Sequence, residues 1–563
     1  MAGKRLLLAA GAVWVVTLGV SAAPRTAPGA QAAGAPAHQG LPVGPIFQTA
    51  DACMACHNGL TTPGGEDVSI GIQWRATMMA NSGRDPYWQA AVRREIMDHP
   101  SARAEIEDEC SICHMPMATF TARAAGGHGT IFDHLPVGQA ATPEALLAAD
   151  GVSCTACHQI TAEKLGTPES FTGGYVIDTT RAADARRIFG PFEIDAGLTT
   201  VMRSSAGFQP AQGTHIQSSE LCATCHTLFT SALDPSGAAA GRLPEQMPYL
   251  EWQASDYPGS RSCQDCHMPV VEAEMPIARV LGQPRAGFRR HEFRGGNFFV
   301  TRMLNRYRAE LGVVALPQEM DAAAGRAIGH LQEATARVSV GAVTVANRRA
   351  TFDVTVENLA GHKFPTAYPS RRAWLHVTVR DAGGRVLFES GAFQPSGAIA
   401  GNDNDADASA FEPHHDEITS ADQVQIFEAI LAAADGRVTT GLLTGSHYLK
   451  DNRLLPKGFD KAASGPDVAV RGAAAQDDTF RAPGDRVRYR VDIGAATGPV
   501  TVEAELWFQP IGYRWAENLR GYDAFETRRF IRYWESMAAE SAVRVGTATA
   551  ASGRPADGPP PGL

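Results

Sequence analysis

The chain of 563 residues has no cysteine to spare: all ten fall in five Cys-x-x-Cys pairs, so no thiol is left for a structural disulfide. It also lacks the basic stripe of a nucleic-acid-binding protein, since 50 Lys and Arg face 60 Asp and Glu for a formal charge of −10. Beyond the amino terminus there is no uninterrupted apolar run near the roughly 20 residues that a membrane span needs. A lysine-bearing CxxCK motif is also missing. Nucleic acid is thereby set aside as a partner, and a mature chain without membrane spans is expected.

The amino terminus has a short basic start (Lys4, Arg5) and an uncharged run from Leu6 to Val20. Small residues follow around Val20-Ser21-Ala22. This reads as an export signal over 1–22, with an Ala/Pro/Gly-rich linker over 23–45. Removing the signal moves the formal charge from −10 to −12. A periplasmic or cell-surface location is the expectation.

The cysteine pairs are DACMACHN at Cys53 and Cys56, ECSICHMPM at Cys110 and Cys113, SCTACHQ at Cys154 and Cys157, LCATCHT at Cys222 and Cys225, and SCQDCHMP at Cys263 and Cys266. Each second cysteine is followed by a histidine: His57, His114, His158, His226 and His267. In C-x-x-C-H two thiols form thioethers with one haem and the adjoining imidazole reaches its iron. Zinc ribbons use paired Cys-x-x-Cys sites of four thiolates, and five pairs cannot be divided that way. Five covalent haems c are expected. All five histidines fall within about 210 residues of chain, too little polypeptide to wrap each haem in its own globule, so the haems must pack near one another as an electron relay requires. Met115 and Met268 adjoin proximal ligands and are not counted as axial ligands.

The chain has 17 histidines, which leaves twelve for the opposite faces of five irons. His99 lies on an apolar helical face with Trp88, Val92 and Ile96, ended by Pro100. His215 precedes Cys222 by seven residues and would stand over a neighbouring haem. His291 sits before Gly295 and Gly296, which would let backbone approach a flat cofactor. His128 and His134 share one loop, and one of them is expected to be a ligand. His362 lies between Gly361 and a rigid FPT turn. His330, on an alanine face with Ala323, Ala327 and Ala334, reads as helix packing; His376 reads as a strand residue; and His38, His415 and His447 carry no argument.

After Asn297 the pattern is helical to Gly312 and again from about Met320 to Arg337. The period then changes to two, with Phe352, Val354 and Val356, then Leu375, Val377 and Val379, and later Val487 to Ile493 and Val500 to Phe508. Turn signals separate these runs. The expected fold class is multidomain α+β: a mainly helical, loop-rich pentahaem domain over 46–300, a helical connector over 301–337, an antiparallel β-sandwich over 338–512, a C-terminal helix within 513–545 and a disordered tail over 546–563. Asp403, Asp405 and Asp407 repeat the opening spacing of a calcium loop, without the glycine and glutamate of an EF-hand; Ca²⁺ there is the minor reading.

Through its CxxCH motifs, the CHMP extensions, HIQSSELCATCH and HEFRGGN, the stretch from about Thr49 to Phe299 resembles exported multihaem c-type cytochromes, and its haem domain is similar to the tetrahaem cytochrome of ammonia oxidisers. Resembling sequences also carry GHKFPT, here Gly361 to Thr366, within a C-terminal β-domain. The resemblance implies electron transfer through closely packed, mostly bis-histidine haems, and supports His215, His291 and His362 as distal ligands. An electron carrier is therefore expected more than an oxidoreductase with its own substrate. The alternative is a haem reductase or oxidase of a small nitrogen or sulfur compound with one open iron. Expected partners are redox proteins: other cytochromes, or quinol-oxidising or terminal reductase complexes, including a membrane-associated complex.

Overall fold

The computed structural model describes residues 45–234, 237–496 and 498–553. The export signal, nearly all of the linker, His38 and the last ten residues lie outside the described residues.

The amino-terminal half is built of short helices and long connections. Its longest helices are Pro86–Asp98 and Arg103–His114. Asp85 caps the first, its carboxylate accepting from the Tyr87 and Trp88 amides, and proline at the first helical position suits a group that has no intrahelical partner to lose. His99 is the residue after its last turn, and Pro100 opens the 3-10 turn Pro100–Ala102. Four of the motifs start or occupy helical turns, at Asp51–Met54, Cys154–Cys157, Ser219–Ala223 and Cys263–His267; the second motif ends Arg103–His114. Apolar burial here is broken into small groups, such as Trp88, Val92 and Ile96 with Met115, or Ile112, Met117 and Ile160 with Tyr175.

The connector forms helices Phe298–Arg306 and Arg308–Leu311, ended by Gly312 at φ +64°, then Pro317–Ala334. The last of these stops before Arg337, because Ala336–Val340 is already a strand. Two five-stranded sheets follow. One runs in the order Glu417–Ile418, Gly484–Asp492, Arg349–Asn358, Ala336–Val340, with Thr344–Ala346 also on Arg349–Asn358. The other runs Ile426–Phe427, Arg372–Asp381, Val500–Gln509, Val543–Ala551, with Val386–Ser390 on Arg372–Asp381. Val354, Val356, Val487 and Tyr489 of the first and Val377, Val379, Val502 and Leu506 of the second belong to one core, shared with Phe298, Phe299 and Met303 of the connector. Alternation along Arg349–Asn358 and Gly484–Asp492 is what one buried face dictates.

Two expectations need correction here. The pairing is not purely antiparallel, since Glu417–Ile418 runs parallel to Arg488–Tyr489. The tail does not begin at 546: Val543–Ala551 is an edge strand in register with Val500–Gln509, Ala548 opposite Ala504. Val543, Val545, Thr547 and Thr549 alternate as a strand allows, and the ladder with Val500–Gln509 fixes it. A helix does precede it, Phe525–Met537, with Phe530, Trp534 and Met537 buried.

The two halves touch extensively. Phe525–Met537 packs along Pro86–Asp98, tied by Arg93 to Glu526 at 2.9 Å. The Glu95 carboxylate accepts from the Leu442 and Leu443 amides, at 2.8 and 3.3 Å. All described residues fall in one compact unit. No described helix is long and apolar enough to cross a membrane.

Candidate functional site

A cavity of about 640 Å³, open to solvent in places, runs through the amino-terminal half, and residues of all five CxxCH motifs line it. Folded interiors pack like organic crystals, with few voids larger than a water molecule. A cavity walled by the cysteines and histidines of the first four motifs, with Gln264 of the fifth beside them, has the chemistry of a site for large flat cofactors.

The motifs adjoin in a definite order. Cys53 lies within hydrogen-bonding reach of Cys154, Cys113 of Cys225, and Cys222 of Cys263. The fourth motif is thus a junction, touching the second through Cys225 and the fifth through Cys222, while the first pairs with the third.

Four proximal histidines are oriented by backbone carbonyls at Nδ1: His57 by Ile277 at 2.5 Å, His114 by Ser82 at 3.2 Å, His158 by Phe189 at 2.6 Å, and His267 by Arg294. An Nδ1–H held this way fixes the tautomer and leaves Nε2 as the metal-binding nitrogen. Burial pushes the His114 and His267 imidazoles down to about 4, so both are neutral with a free lone pair at neutral pH. Trp88 stacks flat on His114, centroids 4.2 Å apart at 2°.

Two proximal rings face a second imidazole. His158 and His291 lie 6.4 Å apart between centroids at 19°, and His267 and His362 6.2 Å apart at 12°. Two imidazoles on opposite sides of one metal, each bonded at about 2 Å, have centroids about 6 Å apart. The donor set therefore fits a haem iron with two axial histidines at both places. His291 and His362 are themselves held at Nδ1, by the Arg289 carbonyl at 3.1 Å and the Lys363 carbonyl at 2.8 Å, and burial pushes His291 down to about 3.

The His362 loop is tethered from both halves. Glu251, on helix Pro248–Gln253, accepts from the Lys363 amide at 3.2 Å and the Thr366 hydroxyl at 2.5 Å. Arg453 pairs with Glu251 at 2.9 Å and with Asp451 at 2.8 Å, and Lys363 Nζ reaches Asp451 at 2.7 Å. The four charges are buried and balance one another, which is what keeps such a network tolerable. Asn358 closes the loop by donating to the His362 carbonyl at 2.8 Å.

The other candidates sit elsewhere. His99 Nε2 is 3.4 Å from the Thr444 hydroxyl, and His134 Nε2 is 3.3 Å from that of Thr130. His215 Nε2 is 2.9 Å from the Ile160 carbonyl, with its ring edge-on to Phe189. His128 is exposed. None of these four stacks on a proximal ring among the described residues. His330, read as helix packing, instead comes within 5.9 Å of His267 between centroids, tilted by 53°; its register on the helix was legible, the neighbour it meets was not. Gly296 admits the Phe508 ring of the second sheet, 3.0 Å from where a Cβ would stand, rather than a cofactor.

The calcium reading fails on geometry. Asp405 is held by Arg372 at 2.7 Å and Asp407 accepts from Ser409, so the three carboxylates do not converge, and a guanidinium already supplies the countercharge. Among the described residues the grouping of possible metal ligands is His414 with Asp477 and Asp485, whose atoms are engaged by Gln425, Asn452 and one another.

No protein-family model matches the chain, and no curated protein does. Among solved structures one shares the overall fold. The match is to a penta-heme cytochrome c552 from Thermochromatium tepidum, at 17% identity and TM-score 0.51, covering 90% of this chain and 100% of that one.

Proposed function

We propose that this chain is an exported pentahaem c-type cytochrome that passes electrons through closely packed haems, several of them with two histidine ligands. The observation that carries the reading is two pairs of facing imidazoles: His158 with His291, on the wall of a cavity to which all five CxxCH motifs contribute residues, and His267 with His362. The name of the structural neighbour agrees with it. The bound haems would supply one-electron redox chemistry. The chain's own residues anchor them through Cys53, Cys56, Cys110, Cys113, Cys154, Cys157, Cys222, Cys225, Cys263 and Cys266, orient the axial rings through backbone carbonyls, and bring adjacent motifs into contact. Redox proteins, soluble or in a membrane-associated complex, are the proposed partners, and the periplasm or cell surface the proposed location.

A second reading, a reductase or oxidase of a small nitrogen or sulfur compound, is favoured by one observation: among the described residues no second imidazole stacks across from His57, His114 or His226. Electron paramagnetic resonance of the purified ferric protein separates the two. Low-spin signals accounting for all five haems support the carrier. A stoichiometric high-spin haem that turns over nitrite or hydroxylamine rapidly supports the enzyme.

A further inference from the structure

Arg371 stands on the cavity wall where the sheet half meets the haem-motif half. Among the described residues one of its five N–H donors has a partner, the Nη1–H given to the Thr366 carbonyl at 3.0 Å. Among the described residues no carboxylate comes within ion-pair distance of it. Asp85 acts on it as a charge from beyond ion-pair distance, and its Oδ1 accepts from the Tyr87 and Trp88 amides at 2.9 and 3.2 Å. Burial holds the guanidinium down at about 10, while its side chain keeps partial accessibility. Solvent in the bulk does not account for both facts; accessibility to an interior cavity does.

The surroundings are those of a receiving site. Tyr87 and Tyr368 meet edge to face, centroids 5.9 Å apart, and the Ser370 hydroxyl beside them donates to the Pro510 carbonyl at 2.9 Å. Both tyrosines and Ser370 line the same cavity as Arg371, and the positive charge is felt at His226. A cation buried without a countercharge costs stability, and a planar fork of donors matches a carboxylate or similar oxyanion where an ammonium would not.

We propose that Arg371, with Tyr87 and Tyr368 beside it, binds an oxyanion in the cavity next to the fourth motif: either a carboxylate of the bound cofactor or a small free oxyanion. The proposal rests on the cavity being a haem site.

The test uses the haem-loaded full chain, with nitrite as the free probe, in the wild type, Arg371→Lys and Arg371→Met. Haem midpoint potentials are measured in nitrite-free chloride buffer, and nitrite binding is measured by calorimetry, which needs no haem signal. If the partner is the cofactor's carboxylate, Arg371→Met lowers one potential, Arg371→Lys lowers it less, and nitrite binds none of the three proteins. If the partner is a free oxyanion, nitrite binds the wild type and at least tenfold more weakly to Arg371→Met, with Arg371→Lys between them. Arg371→Lys keeps a donor for the Thr366 carbonyl and serves if the methionine variant does not fold. Unchanged potentials together with identical nitrite behaviour in all variants overturn the proposal. A chain that purifies without haem overturns instead the reading of the cavity, and nitrite calorimetry on it still decides for or against the free-oxyanion arm.

Discussion

His362 lies nearly parallel to His267, ring centroids 6.2 Å apart, although the two belong to opposite halves of the molecule. A histidine of the fifth motif and a histidine from the loop preceding strand Arg372–Asp381 thus define one site between them.

On the proposed ligand assignment, replacing His362 with alanine removes one axial imidazole. One haem should change from low to high spin and shift its potential, with the other four unaltered. His291→Ala should do the same to a different haem, that of the third motif. Redox titration followed by electron paramagnetic resonance reads both, and five unchanged haems in either variant would remove that histidine from the ligand set.

Glu251→Gln should loosen the same loop without touching a ligand. The neutral amide leaves Lys363 and Arg453 with Asp451 as their sole buried countercharge. Breaking a buried network on one side costs about 3–5 kcal/mol. The expected result is a lower melting temperature together with a mixed-spin signal confined to the haem altered by His362→Ala. A stability loss with all haems low spin would make Glu251 structural alone.

Stoichiometry follows from the cysteine arithmetic. Intact mass and a haem assay should give five covalent haems per chain and no thiol that titrates after denaturation. Bound zinc, or free thiols in the denatured chain, would contradict it.

Asp485 gives a pH dependence in the sheet half. Burial is the main cause that raises its carboxyl from 3.8 to about 6 in the fold, with Asp477 nearby adding to it. The folded state therefore holds a proton that the unfolded chain has released between about pH 4 and 6, so stability present below pH 4 falls as the pH rises through that window. Asp485→Asn should flatten the slope: between acid pH and pH 7 the wild type loses on the order of 3 kcal/mol that the variant keeps. Denaturant melts at pH 4, 6 and 8 measure it; parallel slopes in both proteins would refute it.

What the sequence disclosed was whatever local spacing encodes. The CxxCH frames, the stop at Pro100, the cap at Gly312 and the two-residue period of Phe352, Val354 and Val356 are short-range patterns, and the structure keeps them. His291 and His362 stood out by their neighbours in sequence, and the structure brings each against a proximal ring. Other features depend on long-range meetings that no window of sequence contains. His330 meets His267 across 63 positions of chain. Glu251 finds its role through Lys363 and Arg453, and the place of the strand Val543–Ala551 in its sheet is set by pairing with Val500–Gln509. Asp405 was readable as an acid but not as the partner of Arg372.

On the proposed ligand assignment, the tether of the His362 loop would also set an order of biogenesis. Synthesis runs from the amino terminus, so every CxxCH pair has emerged before the residues that carry His362 and its partners Asp451 and Arg453. A haem attached at Cys263 and Cys266 early in maturation would wait with one axial ligand until the sheets closed. The last coordination bond would then report that the carboxy-terminal half has folded, making ligand-field spectra during refolding a clock for the assembly of the whole chain.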